Sequence, residues 1–439
     1  MNASLASAPA PGWRWAPAWV IAFVALWPAP GYAEGVLVLG ALAGLSKLVA
    51  SRFRGGAALL GGPAWALTSV LFFAYWLPQL LSAPDALDRG RAFQEAVIDL
   101  RYLPFLWVVA SAVANEQGRR RTFGGLAIIM LVWTVDALLE AFLGTSPLFW
   151  SLDQAKQAIS GHGMCTAADL AAADRLGGIL GPCNLKLGIV LASFSPFALD
   201  AAQRRAGRLG WLAMAVALGV VIMLAGSRAS WLTYALVLAW TGWRLLGWKR
   251  LLAMLLLGVL ALGLAALVSA PLGERLQRSA EVFSGDAAGV DHALSGRARI
   301  WSAAACMVRE HPVNGVGARG FREAFVDCDP QPGEVAAWGT GVALHAHQIV
   351  LEVLSETGVI GLLLWLAGAA LAWRAWRYAT PATREAARPA MLALAVSVFP
   401  LNTHLAAYST FWGSVLLLLA ALYAGSLWGQ PPEPDTAQP

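Results

Sequence analysis

Two histidines, His345 and His347, stand where a long arginine-rich stretch meets an apolar run at 348–374. A neutral imidazole at such a boundary can take a proton from an incoming hydroxyl. His347 lies at the N-terminal end of the predicted helix, where the dipole disfavours imidazolium. His345, two residues earlier, points elsewhere on a helix and reads as a substrate-binding candidate. Arg297 and Arg299 follow Gly296 in Ser295-Gly-Arg-Ala-Arg-Ile-Trp301. A guanidinium fork fits phosphate oxygens, and glycine lets the backbone approach a ligand closely. Arg228, in Gly226-Ser-Arg-Ala-Ser-Trp231, falls at a turn between apolar runs. It is costly there unless paired or facing a polar cavity, although it can also snorkel to the interface. Arg101, beside Asp99, either pairs with that carboxylate or faces a substrate groove. Arg319 joins these as a substrate-binding candidate. Asp136 and Glu140 share one helix face and are expected to form a structural ion pair with one of the arginines, with a proton relay as the alternative. For His347 the alternative is a solvated or interfacial side chain without a role, and for Arg297 and Arg299 a solvated helix start.

The elements that must position these groups are apolar. Of 439 residues, 58% are hydrophobic and only 13% charged, against about 25% charged in a soluble domain. A span needs about 20 apolar residues. Twelve segments qualify, with soft edges: 14–31, 34–50, 57–82, 95–114, 123–145, 185–202, 209–226, 229–246, 250–269, 348–374, 388–406 and 409–428. Ala29-Pro-Gly-Tyr-Ala33 has the small residues of a signal-peptidase site, but the spans that follow favour a retained first helix. Lys47/Arg52/Arg54, Arg119–Arg121, Arg204/Arg205/Arg208, Lys249/Arg250 and Arg374/Arg377/Arg384/Arg388 fall on alternate connections. Twelve spans with both termini in the cytoplasm put all five clusters inside. The net charge of +5 therefore fits membrane topology and calls for no nucleic acid.

The 439 residues thus read as a single transmembrane domain, an all-α polytopic protein. Two long connections face outward, 146–184 and 270–347, and a polar, proline-rich tail, 429–439, is expected to be disordered in the cytoplasm. Ala298–Arg309 reads as a short helix with an apolar stripe of Ile300, Trp301, Ala304, Ala305 and Val308. His311-Pro-Val-Asn-Gly-Val-Gly317 then breaks it. Cys165 and Cys183 lie in the first outward loop and Cys306 and Cys328 in the second. Pairs confined to one loop predict disulfides Cys165–Cys183 and Cys306–Cys328 in an oxidising compartment, the simplest of three connectivities. A four-cysteine metal site has no CxxC spacing to support it.

No P-loop, GxSxG, HExxH or metal-ligand cluster appears, so no metal and no cofactor are expected. Taken together the motifs resemble the O-antigen ligase / O-antigen polymerase superfamily of bacterial envelope glycosyltransferases. Three stretches carry the resemblance: Ala225-Gly-Ser-Arg-Ala-Ser-Trp-Leu232, Ser295–Trp301 followed by His311–Gly317, and His347-Gln-Ile-Val-Leu-Glu-Val-Leu-Ser-Glu-Thr-Gly-Val-Ile-Gly361. It covers roughly 185–375, and Gln348 stands where asparagine is commoner in the family. The resemblance implies a GT-C type architecture with a large periplasmic catalytic loop, 270–347. It implies a catalytic His347, with Arg228 and Arg297 as functional arginines.

It further implies glycan transfer from an undecaprenyl-diphosphate carrier at the outer face of the bacterial inner membrane, with the lipid bilayer as surroundings. The acceptor is then lipid A–core for a ligase, or carrier-linked repeat units for a polymerase. One dominant outward loop favours the ligase. A lipid-linked glycan transporter, or flippase, is the alternative from another class; it would put the arginines in a central cavity with inverted repeats.

Overall fold

The computed structural model describes residues 13–54, 58–171, 175–268, 296–333, 341–401 and 405–428, with isolated positions between 273 and 294. The expected disorder of 429–439 falls outside them. The elements are helical. They are α1 (Ala16–Ala25), α2 (Pro30–Arg54), α3 (Gly62–Ser82), α4 (Arg89–Asp99), α5 (Tyr102–Ala112), α6 (Glu116–Leu143), α7 (Pro147–Ser160) and α8 (Ala167–Ala171). There follow α9 (Leu187–Leu224), α10 (Arg228–Leu246), α11 (Trp248–Val268), α12 (Arg297–Glu310), α13 (Phe321–Cys328), α14 (Ile349–Tyr378), α15 (Pro381–Ser397) and α16 (Thr410–Leu427).

Among the described residues six helices are long and apolar enough to cross a membrane: Pro30–Phe53, Gly62–Asp85, Glu116–Leu143, Leu187–Leu224, Ile349–Tyr378 and Thr410–Leu427. This is consistent with a polytopic membrane protein. The fourth predicted segment, 95–114, is not one helix. It divides into α4 and α5 at Leu100–Arg101. Pro104 has no N–H to give the Leu100 carbonyl, and Leu103 N bonds that carbonyl instead, at 3.2 Å. Conversely, the sixth and seventh segments run together as α9, with a break at Ala206–Gly207 where Gly207 takes φ 60.

The main core is built by α1–α3, α5, α6, α9, α10 and α14–α16. Trp27 anchors it, meeting Phe194 and Phe411 edge-on, each with centroids 5.4 Å apart. So α1, only ten residues long, is held by Val20, Phe23 and Trp27 inside the bundle. Exposed leucines such as Leu256, Leu257, Leu260 and Leu264 cover the outside of α11. A surface of this kind suits acyl chains rather than water.

A second, smaller core lies under the 297–346 region. It is formed by Ile300, Ala303, Ala304, Met307, Phe321, Phe325, Ala343 and Ala346. The helix predicted at 298–309 is α12, but its buried stripe is Ile300, Ala303, Ala304 and Met307, and Ala305 faces outward. The sequence reading had the period right and the phase wrong by about one residue, because Trp301 turns to another partner. Both predicted disulfides are formed, Cys165–Cys183 and Cys306–Cys328, with Cα separations of 5.6 and 5.7 Å. Cys306 and Cys328 are therefore not thiolate ligands, although Glu310 lies beside them.

Candidate active site

The two histidines come together by backbone geometry rather than helix periodicity. His347 has φ 54, an uncommon conformation for a residue with a side chain. It is 9% exposed. The reversal brings its ring against His345, with centroids 3.8 Å apart. His345 was expected to point elsewhere; that expectation assumed a helix, and the helix begins only after His347. Gln348 caps it: its side-chain oxygen accepts from Leu351 N at 2.6 Å, and its amide nitrogen donates to the Pro400 carbonyl at 2.6 Å. The amide beside the histidines is thus a clamp between α14 and the end of α15.

Trp301 supplies the link to the arginines. It lies one helical turn after Arg297 and donates from its indole Nε1 to the Ala346 carbonyl at 3.1 Å. Ala346 is the buried residue between the two histidines. Arg297 opens α12 behind Gly296, which takes φ 73. Its guanidinium donates to the Leu294 carbonyl at 3.0 Å. Burial, and then the nearby charges of Arg228 and Arg175, push its pKa down to about 10. Arg228 opens α10 after Ser227. Arg175 arrives from the first predicted outward loop, where Leu176 N bonds the Leu224 carbonyl at 3.4 Å. Like charges gathered this way raise one another's cost and favour any anion brought among them.

Sequence reasoning missed Arg175. Its one signal was an arginine just ahead of Gly177-Gly178, and nothing in the chain order tied it to residues 228 and 297. Asp136 and Glu140 do not form the expected ion pair. Asp136 accepts from Ser146 Oγ at 2.7 Å and Leu148 N at 3.0 Å. Glu140 accepts from Gly177 N at 3.3 Å and Gly178 N at 2.6 Å. Their role is to moor both ends of the 146–184 loop, and so to hold Arg175 in position.

The remaining candidates hold intramolecular partners. Arg299 forks onto Asp329, with Nε to Oδ1 at 2.7 Å, and bonds the Gln331 carbonyl at 2.8 Å. That contact holds the Asp329 carboxyl below its ordinary range. Arg101 pairs with Glu34 at 3.0 Å and Asp99 at 3.4 Å. Arg319, at φ 62, pairs with Glu95 on α4, and its amide donates to Glu356 Oε2 at 2.6 Å.

The His311–Gly317 stretch is a backbone splice. Helix α14 breaks at Gly358, φ 65, and the loop enters the break. Val316 N and Gly317 N donate to the Ser355 and Glu356 carbonyls, each at 2.9 Å, and Val359 N donates to the Pro312 carbonyl at 2.9 Å. A Cβ on Gly358 would lie 2.1 Å from the Val313 carbonyl oxygen. The splice fixes the second core, and with it Arg297, against the helix that follows the histidines. Its other anchor is Glu356, which accepts from Arg319 N, whereas Glu352 accepts from Tyr408 N at 3.3 Å; both are buried carboxylates that sequence reasoning left without a role.

Residues 212–366 match the family model described as O-antigen ligase. The match supports the O-antigen ligase/polymerase superfamily for this chain. No curated protein matches the chain. The matched segment contains Arg228, Arg297, Trp301 and both histidines, whereas Arg175 lies outside it. The family covers O-antigen ligase and polymerase activity. Lipid-linked polysaccharide and a lipid acceptor are the substrates it implies.

Proposed function

We propose that the protein transfers O-antigen polysaccharide from undecaprenyl diphosphate to a hydroxyl of lipid A–core, at the periplasmic face of the inner membrane. The observation that carries this reading is the convergence of Arg175, Arg228 and Arg297, joined through Trp301 to the backbone between the paired His345 and His347. A lipid-linked donor needs a site at the bilayer boundary, and its diphosphate needs fixed positive charge.

His347 takes the proton of the acceptor hydroxyl. The acceptor oxygen attacks the anomeric carbon as the bond from that carbon to the phosphate oxygen breaks. The electron pair leaves with the diphosphate, where the three arginines stabilise it. A single displacement inverts the carbon. The guanidinium groups supply the charge that a metal ion supplies elsewhere, so transfer is expected to be metal-independent. His345 orients the His347 ring, and Trp301 holds the backbone between them. Arg299, Arg101 and Arg319 hold the surrounding elements through Asp329, Glu34 and Glu95. The twelve-span arrangement with both termini in the cytoplasm remains the reading that sets this site outward, and the long 270–347 loop favours ligase over polymerase.

The test is reconstitution of the purified protein with lipid-linked glycan and lipid A–core in the presence of chelator. Glycan on lipid A–core from the wild type, and none from His347→Ala, is the expected result. Longer carrier-linked glycan would make the protein a polymerase. No transfer to either acceptor would turn the reading towards transport.

A further inference from the structure

A second charged cavity lies at the other end of the bundle. It has a volume of about 760 Å³ and is bounded by α6, α9, α10 and α15. Arg228 opens α10 and Arg244 lies in its last turn, about 24 Å away along the helix axis. The cavity is therefore separated from the histidine site by most of a bilayer's hydrocarbon thickness. Arg119, Arg120, Arg204, Arg244 and Arg388 line it. Glu116, Asp200 and Glu385 are its carboxylates, which leaves an excess of two positive charges.

The carboxylates are not shared evenly. Arg204 pairs with Asp200, and Glu385 pairs with Arg388 and, at 3.7 Å, with Arg244. Arg119 is 8% exposed and faces the cavity, and among the described residues it has no carboxylate within ion-pair distance. It also stands in the first turn of α6, capped by Asn115, where the helix dipole is positive and a cation is disfavoured. A buried guanidinium so placed, with no internal counter-charge in contact, suits an anion from outside. Trp240 lines the cavity and is 51% exposed, and its neighbours Trp243 and Trp248 are exposed as well. Tryptophan in this pattern marks headgroup depth in a membrane, and basic pockets between helices at that depth hold lipid phosphates.

We propose that this cavity binds a phosphate group, supplied by the headgroup of an anionic phospholipid, with Arg119 as its innermost contact. The site lies on the face opposite the histidines and is independent of the transfer reaction assigned there.

Native mass spectrometry of the full chain, released from nanodiscs of mixed phosphatidylglycerol and phosphatidylcholine, tests it. Wild type should retain phosphatidylglycerol preferentially. Arg119→Gln should weaken retention about tenfold, the loss of one charge-assisted contact. Because Arg119 is buried, Arg244→Gln serves as a second variant at an exposed position, and it should weaken retention in the same direction. Equal retention of both lipids by wild type, or unchanged retention in both variants, would overturn the proposal. A parallel titration with inorganic phosphate follows the part of the tryptophan fluorescence that Trp240→Phe lacks, since the chain has 21 tryptophans. Saturation by phosphate, with no lipid retained, would keep the phosphate chemistry and overturn the lipid source.

Discussion

Trp301 donates its indole N–H to the carbonyl of Ala346, 3.1 Å away. One contact thereby joins the helix that starts with Arg297 to the two residues that carry the imidazoles. Trp301→Phe keeps most of the buried ring and removes the donor. Loss of one such bond costs about 1 kcal/mol, so initial transfer rates should fall roughly five- to tenfold while the thermal midpoint moves little. An unchanged rate would show that the 346 carbonyl does not need holding.

Arg175→Gln should weaken the carrier-linked donor, because one of three converging charges is lost. A hydrogen bond to a charged group contributes about 1.5–3 kcal/mol, so kcat/KM for the donor should drop at least tenfold. Varying the acceptor should leave its KM unchanged. A shift in acceptor KM alone would move Arg175 out of the diphosphate site.

Arg297 carries a stability cost in the unliganded protein. Its folded pKa of about 10 lies below the ordinary arginine value, so its charged form is disfavoured by folding at neutral pH. That penalty disappears only as the pH rises above the folded value. Arg297→Gln should therefore raise the thermal midpoint of the substrate-free protein, by the equivalent of about 1–2 kcal/mol, and abolish transfer. Arg297→Lys keeps the charge without the fork and should also transfer poorly. A lower midpoint in Arg297→Gln would mean that its other contacts outweigh the repulsion.

Gly358→Ala tests the splice. Its φ of 65 and the Val313 carbonyl 2.1 Å from the added carbon leave no room for a side chain. The cost is expected to exceed about 3 kcal/mol. Limited proteolysis should cut the 311–317 stretch in the variant and spare it in the wild type. Equal resistance would show that α14 absorbs the change elsewhere.

The Cys306–Cys328 bridge closes a loop within the smaller core. Cys306→Ser with Cys328→Ser removes a constraint worth about 3 kcal/mol on loop-entropy grounds. Hydrogen exchange in 297–328 should rise at least tenfold, with the membrane helices unaffected. Unchanged exchange would make that core self-sufficient.

Helix-forming stretches and cysteine pairing were legible in the sequence because both follow from local composition and spacing. The apolar runs at 34–50, 123–145 and 409–428 became α2, α6 and α16, and each disulfide joined neighbours in one loop. Positions set by backbone reversal were not legible. His345 meets His347 only because residue 347 leaves the helical region, and residue type does not announce a positive φ outside glycine. Arg175 reaches Arg297 across a fold that chain order hides. Asp136 and Glu140 read as ion-pair carboxylates, yet backbone N–H groups and a serine hydroxyl took them. Such donors are present at nearly every residue, so no spacing in the sequence points to them.

The break at Gly358 bears on how the chain is built into a bilayer. A helix interrupted there exposes the Ser355 and Glu356 carbonyls, which hydrocarbon cannot satisfy. Their donors, Val316 and Gly317, are synthesised earlier and belong to the preceding loop. Segment 349–378 is therefore not a free-standing insertion unit. Biogenesis must deliver the loop to the break before the helix can settle among its neighbours. The order of synthesis, loop first and helix second, is the one that meets that requirement.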